Sequence, residues 1–206
     1  MEVYNIKNKL IYVIKNFFVN NYKMLIISIV IVVSIIICWN YWQLHNESNL
    51  EKSSEDFEKI SSQLEKDSKQ YLIAAEQFAN KINNIYGVFT NIELTKIAVE
   101  NNNIINAEKT LLKALEIAKL DDLKDLINLR LARVQLALNK TDKVLISLTN
   151  VKNKGWNTII EDIRGDLLLK KGDIAGARSA YYKGIESRGS EIMKTILKIK
   201  INSLPN

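Results

Sequence analysis

The run from Met24 to Trp42, MLIISIVIVVSIIICWNYW, contains no charged residue, no glycine and no proline. A lipid hydrocarbon layer about 30 Å thick is crossed by about 20 apolar residues. Inside lipid every backbone N–H and C=O must be paired within the segment, so a single run of this kind has to be a helix. A signal peptide has a shorter apolar stretch followed by a small-residue cleavage site. Here the run closes instead on Cys38-Trp39-Asn40-Tyr41-Trp42. A buried soluble helix of this length without a charge would be unusual. The expectation is an uncleaved transmembrane helix over 24–43, with Trp39, Tyr41 and Trp42 at the headgroup level, where amphipathic rings prefer to sit.

The flanks orient it. Lys7, Lys9, Lys15 and Lys23 precede the span against Glu2 alone, while Glu47, Glu51, Glu55, Asp56 and Glu58 follow it against Lys52 and Lys59. Positive charge stays on the cytoplasmic side, so residues 1–23 are expected in the cytoplasm. Residues 44–206 are then expected beyond the membrane, which in a bacterium with two membranes means the periplasm. Ile6, Leu10, Val13, Ile14, Phe17 and Phe18 fall on one helical face of the N-terminal segment. That face fits a helix lying in the inner leaflet, or a dock for a cytoplasmic partner.

With 7 glycines and 1 proline in 206 residues, the chain has few strand-and-turn punctuators and is expected to be all-α. Its net charge of +6 is divided between the segment before the span and the large domain after it, which is too little per domain for a nucleic-acid binder. Cys38, the single cysteine, lies in the span, so the domain beyond it has no thiol to oxidise. His45, the single histidine, has no neighbours at metal-site spacing and no nucleophile elbow nearby. No phosphate-binding glycine loop is present. No catalytic residue, cofactor or metal site is expected. Asp121, Asp122 and Asp125 read as the acidic start of a helix.

Residues 71–85 read as a helix whose pattern Tyr86-Gly87 breaks, and beyond Gly87 the chain repeats itself. The clearest unit runs from Gly165 to Gly184: small Gly165, large Leu168, the turn Gly172-Asp173, small Ala177, aromatic Tyr181 and small Gly184. Gly172 suits the left-handed end of one helix, and Asp173 the cap of the next. The frame returns with Ala132, Asn139, Val144 and Leu148, and again with Thr95, Asn102-Asn103, Ala107, Leu111 and Ala114. The offsets are near the 34-residue period of the tetratricopeptide repeat, whose paired helices this pattern resembles. Phe57 to Ala79 is the loosest match, and Glu191 to Leu204 reads as a terminal cap.

The order of these features also resembles a narrower family. A basic N-terminal segment precedes one span ending in Trp-x-Tyr-Trp. Asn128-Leu129-Arg130-Leu131-Ala132-Arg133-Val134-Gln135, Gly155-Trp156, Arg164-Gly165, Gly172-Asp173, Gly176-Ala177-Arg178-Ser179-Ala180 and Lys200-Ile201-Asn202 follow. The chain is similar over its whole length to the YfgM family, ancillary subunits of the SecYEG translocon. That resemblance implies a single-span inner-membrane protein with a periplasmic repeat domain, associated with SecYEG and with a PpiD-type membrane-anchored chaperone. It implies help to exported clients on their way to chaperones, and restraint of an envelope-stress response regulator by the cytoplasmic segment.

In such repeats the first helix of each pair lines the concave face. The frame puts Phe89, Ile92, Lys96 and Val99 there, then Leu126, Leu129, Arg133 and Leu136, then Ile159, Asp162, Asp166 and Leu169. This apolar stripe reads either as a partner groove, with Lys96 and Arg133 facing acidic groups, or as core between repeats. Trp156 follows Gly155 in an inter-repeat turn, where it anchors a partner or packs the junction.

Overall fold

The computed structural model describes residues 2–63 and 68–205. Helices α1 (Glu2–Gln63), α2 (Ser68–Lys81), α3 (Ile85–Glu100), α4 (Ile104–Ile117), α5 (Asp121–Ala137), α6 (Thr141–Thr149), α7 (Asn157–Lys170), α8 (Ile174–Glu186) and α9 (Glu191–Ser203) follow one another, with a short 3-10 turn at Lys154–Trp156 before α7. Among the described residues there is no strand. The chain divides into two compact units, Met1–Lys52 and Ser53–Asn206.

The first unit is the earlier part of α1. Its helical dihedrals are interrupted at Asn21 (φ −115°, ψ 15°). From Asn21 to Gln43 it is long and apolar enough to cross a membrane, with mean hydropathy 2.5 and no described residue of the span buried. The Trp39 and Trp42 rings lie 5.8 Å apart. The side chains of Ile6, Leu10, Val13, Ile14, Phe17, Phe18 and His45 lie outside the described set.

In the second unit α3 pairs with α4, α5 with α6, and α7 with α8, while α2 packs on α3 and α9 on α8. The three pairs turn the same corner. Asn102 (φ 56°), Asn139 (φ 60°) and Gly172 (φ 83°) each take the left-handed conformation. Behind each corner the same two bonds form. Asn103 N–H reaches back to Ala98 O, Lys140 N–H to Gln135 O and Asp173 N–H to Leu168 O, while the left-handed residues Asn102, Asn139 and Gly172 donate their own N–H to Val99 O, Leu136 O and Leu169 O. These satisfy carbonyls that a helix end leaves orphaned. Asn103 and Asp173 then cap the second helix of their pairs, accepting from Asn106 N–H and Gly176 N–H. Lys140 cannot cap, and its ammonium pairs instead with buried Glu108 of α4. Asn139 is exposed, so its contribution is conformational. Asn139→Val should cost about 2 kcal/mol, because a branched side chain resists positive φ, and Asn139→Gly should leave thermal melting nearly unchanged.

The small positions sit where paired helices cross. A Cβ on Gly165 would lie 2.2 Å from the Tyr181 ring, and one on Gly184 would lie 2.6 Å from a Leu197 methyl. Ala132, Ala107 and Ala177 are fully buried. Thr95 stands at the crossing in the first pair. Its hydroxyl bonds Asn91 O at 2.7 Å and Thr110 Oγ1 at 2.8 Å, so the larger residue is accommodated without an orphaned polar group. Leu168, the large residue after Gly165, is half-buried against the Ala177–Tyr181–Leu197 cluster.

One break falls elsewhere than the sequence suggests. Tyr86-Gly87 does not end a helix. The helical pattern stops at Ile82–Asn84, and Gly87 lies in the first turn of α3. A Cβ there would sit 2.0 Å from the Ile82 carbonyl oxygen, so this glycine permits close approach. Asn84 caps α3, accepting from Tyr86 N–H and donating to Ser53 Oγ at 2.9 Å.

Candidate partner-binding face

The first helices of the pairs, α3, α5 and α7, align their side chains by register. Lys96, Arg133 and Asp166 occupy the same position on the three, and Lys200 takes it on α9. This column is positive at one end and neutralised at the other. Lys200 Nζ lies 2.5 Å from Asp162 and 2.7 Å from Asp166, and Arg133 reaches Asp162 at 3.3 Å. Tyr181 donates its hydroxyl to Asp166 at 2.7 Å. Burial works to lower the Lys200 pKa, but the hydrogen-bonded carboxylates of Asp162 and Asp166 outweigh it and hold the ammonium above its ordinary value. Burial, then Asp166, pushes the Tyr181 phenol upward.

The other end is open. A groove of about 420 Å³ lies between α3, α4 and α5. Val99, Ile104, Val134 and Ala137 supply its apolar lining, while Lys96, Arg130 and Arg133 bring three cations against the single carboxylate of Glu100. Lys96 and Arg130 have no ion-pair partner among the described residues, whereas Arg133 already holds Asp162. A second groove, about 440 Å³, is lined by Ile85, Phe89, Leu120, Leu123, Leu126 and Trp156, with Asp121 and Asp122 at its rim. Its acidic edge is the start of α5, as the sequence suggests. Asp125 points inward: buried, it accepts Lys152 N–H at 3.0 Å and Asn153 N–H at 2.8 Å, tying down the linker before α7.

The expected single stripe is therefore distributed over several environments. Lys96 and Arg133 meet in the first groove, and Phe89 and Trp156 in the second. Ile92, Leu136 and Trp156 are half-buried against the core clusters. Leu129, at 4 % exposure, is inside the α5–α6–α7 core and cannot line an open surface. Asp162, at 3 %, is closed off by Arg133 and the chain's own α9. Arg130 and Lys200 enter the sequence analysis only within family motifs, not as residues of this face. Arg130 stands three residues before Arg133 on one helix, the spacing of same-face neighbours, and Lys200 stands one repeat beyond Asp166.

Corner, crossing and register together define a tetratricopeptide-repeat-like solenoid carried behind an apolar helix. The match agrees: the family described as tetratricopeptide repeat-like domain covers residues 15–206. The similarity is also full-length and narrower. The chain is 34 % identical over 204 residues, 99 % of each chain, to an Escherichia coli (strain K12) protein named ancillary SecYEG translocon subunit. It is 34 % identical over 195 residues to the like-named protein of Aggregatibacter actinomycetemcomitans, covering 93 % of this chain and 94 % of the relative. To that of Buchnera aphidicola subsp. Acyrthosiphon pisum it is 31 % identical over 179 residues, 87 % and 92 % respectively. The chain belongs to this family of ancillary SecYEG translocon subunits. No solved structure matches it.

Proposed function

We propose that this protein is a non-enzymatic scaffold held in the bacterial inner membrane beside the SecYEG translocon. Its repeat domain lies on the periplasmic side, where it helps pass exported proteins to a PpiD-type membrane-anchored chaperone. The observation that carries the reading is the full-length match to the Escherichia coli relative, which runs through the apolar helix and the repeats alike. The acidic residues after the span and the lysines before it favour this orientation. The open cationic groove is the surface we assign to a partner. Two uncommitted cations over an apolar floor suit an extended segment carrying acidic and apolar side chains.

The test is photo-crosslinking in native membranes from probes placed at Val99, in the same groove, and at Trp156. Adducts with a translocon subunit or the chaperone are expected. The Lys96→Glu/Arg130→Glu chain should give about tenfold less adduct from the groove at unchanged melting temperature, since reversing rim charges acts on association rather than folding. Adducts with neither class of partner would overturn the scaffold reading. Adducts unaffected by the charge reversal would move the contact away from this groove. Deleting Glu2–Asn21 should leave the adducts intact.

A further inference from the structure

Solenoids end in helices whose outer face is polar, and α9 does not follow that rule. It occupies the register of a first helix. Leu197 and Ile201 stand 34 residues after Ile163 and Leu167, and all four are buried. On the opposite side Ile192, Ile196 and Ile199 are 74 %, 38 % and 62 % exposed. They stand 34 residues after Thr158, Asp162 and Gly165. On α7 those positions receive what comes next. Thr158 bonds Ser187 and Arg188 of the α8–α9 linker, Asp162 takes Lys200 of α9, and Gly165 takes the Tyr181 ring of α8. On α9 no described residue covers the equivalent face. The neighbours on its turn, Thr195, Asn202 and Ser203, are exposed and uncharged.

We infer that two copies of this chain associate through this face, with α9 of one running antiparallel to α9 of its partner, as α8 runs against α7. The face is built to meet itself. Its order, Ile-x-x-Thr-Ile-x-x-Ile, reads the same in both directions apart from the central pair. Reversal therefore sets Ile192 against Ile199 and Thr195 against Ile196. Glu191 and Lys198 lie along one edge, at opposite ends. Their side chains are exposed, Glu191 engaging only Lys194 of its own helix. The two-fold brings Glu191 of each copy towards Lys198 of the other, so charge as well as apolar pattern is self-complementary. Three isoleucines a side are less than the area a lasting dimer in solution buries, about 800 Å² per partner. Association therefore depends on confinement in a common membrane, which raises effective concentration. For that confinement alone the inference rests on the anchored-scaffold reading.

The experiment uses the full-length Cys38→Ser chain carrying Thr195→Cys, reconstituted in phospholipid vesicles and treated with a short thiol crosslinker. A covalent dimer is expected. Ile192→Lys/Ile199→Lys, at exposed positions, should reduce it about tenfold by placing charges in an apolar contact, with melting unchanged. Glu191→Lys should reduce it roughly threefold, and Glu191→Lys/Lys198→Glu should restore it. A vesicle-bound chain that stays uncrosslinked overturns the inference, as does a dimer indifferent to the lysine pair, or an adduct that forms in cell membranes only with a different protein. Should the chain fail to remain with vesicles, the anchor reading falls instead. The same variants are then crosslinked in solution at about millimolar concentration, which stands in for confinement, and a chain that stays uncrosslinked there overturns the inference.

Discussion

Gly165→Ala should lower the stability of the repeat domain by about 3 kcal/mol, the upper part of the range for overpacking a filled core. In a domain of this size that corresponds to about 10 °C in melting temperature. The new Cβ would fall 2.2 Å from one Tyr181 ring carbon and 2.5 Å from another. The ring cannot swing away freely, because it is almost fully buried and its hydroxyl is held by Asp166. The other pairs indicate how the chain could adapt. Ala132 crosses opposite Leu148, and Thr95 opposite Leu111, so a larger residue on the first helix goes with a slimmer one on the second. Gly165→Ala/Tyr181→Leu should therefore recover part of the loss. A double-mutant cycle should return a coupling of about 1 kcal/mol or more, and simple additivity would show that the ring is not what the glycine accommodates.

Lys200→Met should cost about 2 kcal/mol by thermal or denaturant unfolding, because the cluster is half-exposed apart from Asp162, whose buried carboxylate loses its nearest cation. Asp162 is only 5 % exposed at its side chain and would retain Arg133 alone. The same cluster sets the response to alkali. The folded state holds the Lys200 proton more tightly than the unfolded chain does, so its contribution is complete below the ordinary value of 10.5 and is lost as pH rises through the higher native value. Tyr181 acts in the same direction. Its phenol is raised from 10.0 by burial first and then by Asp166, so folding also favours its protonated form. Stability should hold steady up to about pH 10 and fall above it. Lys200→Met/Tyr181→Phe should melt lower at neutral pH but lose less on passing to pH 11. An alkaline decline as steep in the double variant as in the wild type would assign it to other groups.

The sequence carried a great deal of this architecture because the repeat is written in local chemistry. Asn102, Asn139 and Gly172 are residues that tolerate positive φ, and each marks a corner. Gly165 and Ala132 are small where helices cross. The apolar run was legible because nothing interrupts it. What was misread required knowledge of neighbours. Gly87 looks like a breaker, yet it is a contact point for the Ile82 carbonyl, which its own segment does not disclose. Leu129 and Lys96 share a helix-face pattern at the level of sequence. Whether such a position is core or groove depends on how closely the next pair approaches, and α7 closes over Leu129 whereas no described residue closes over Lys96. Asp162 seemed available until α9 delivered Lys200 to it, a contact across 38 residues.

Contacts in the repeat domain join helices that are one or two places apart in the chain. A chain delivered from its N-terminal end can therefore complete each hairpin before the next has arrived, with little loop-closure entropy to overcome at any stage. Nothing early in the sequence has to wait for the last helix except its immediate neighbours, so a partly emerged domain already holds finished structure rather than an exposed, unpaired core.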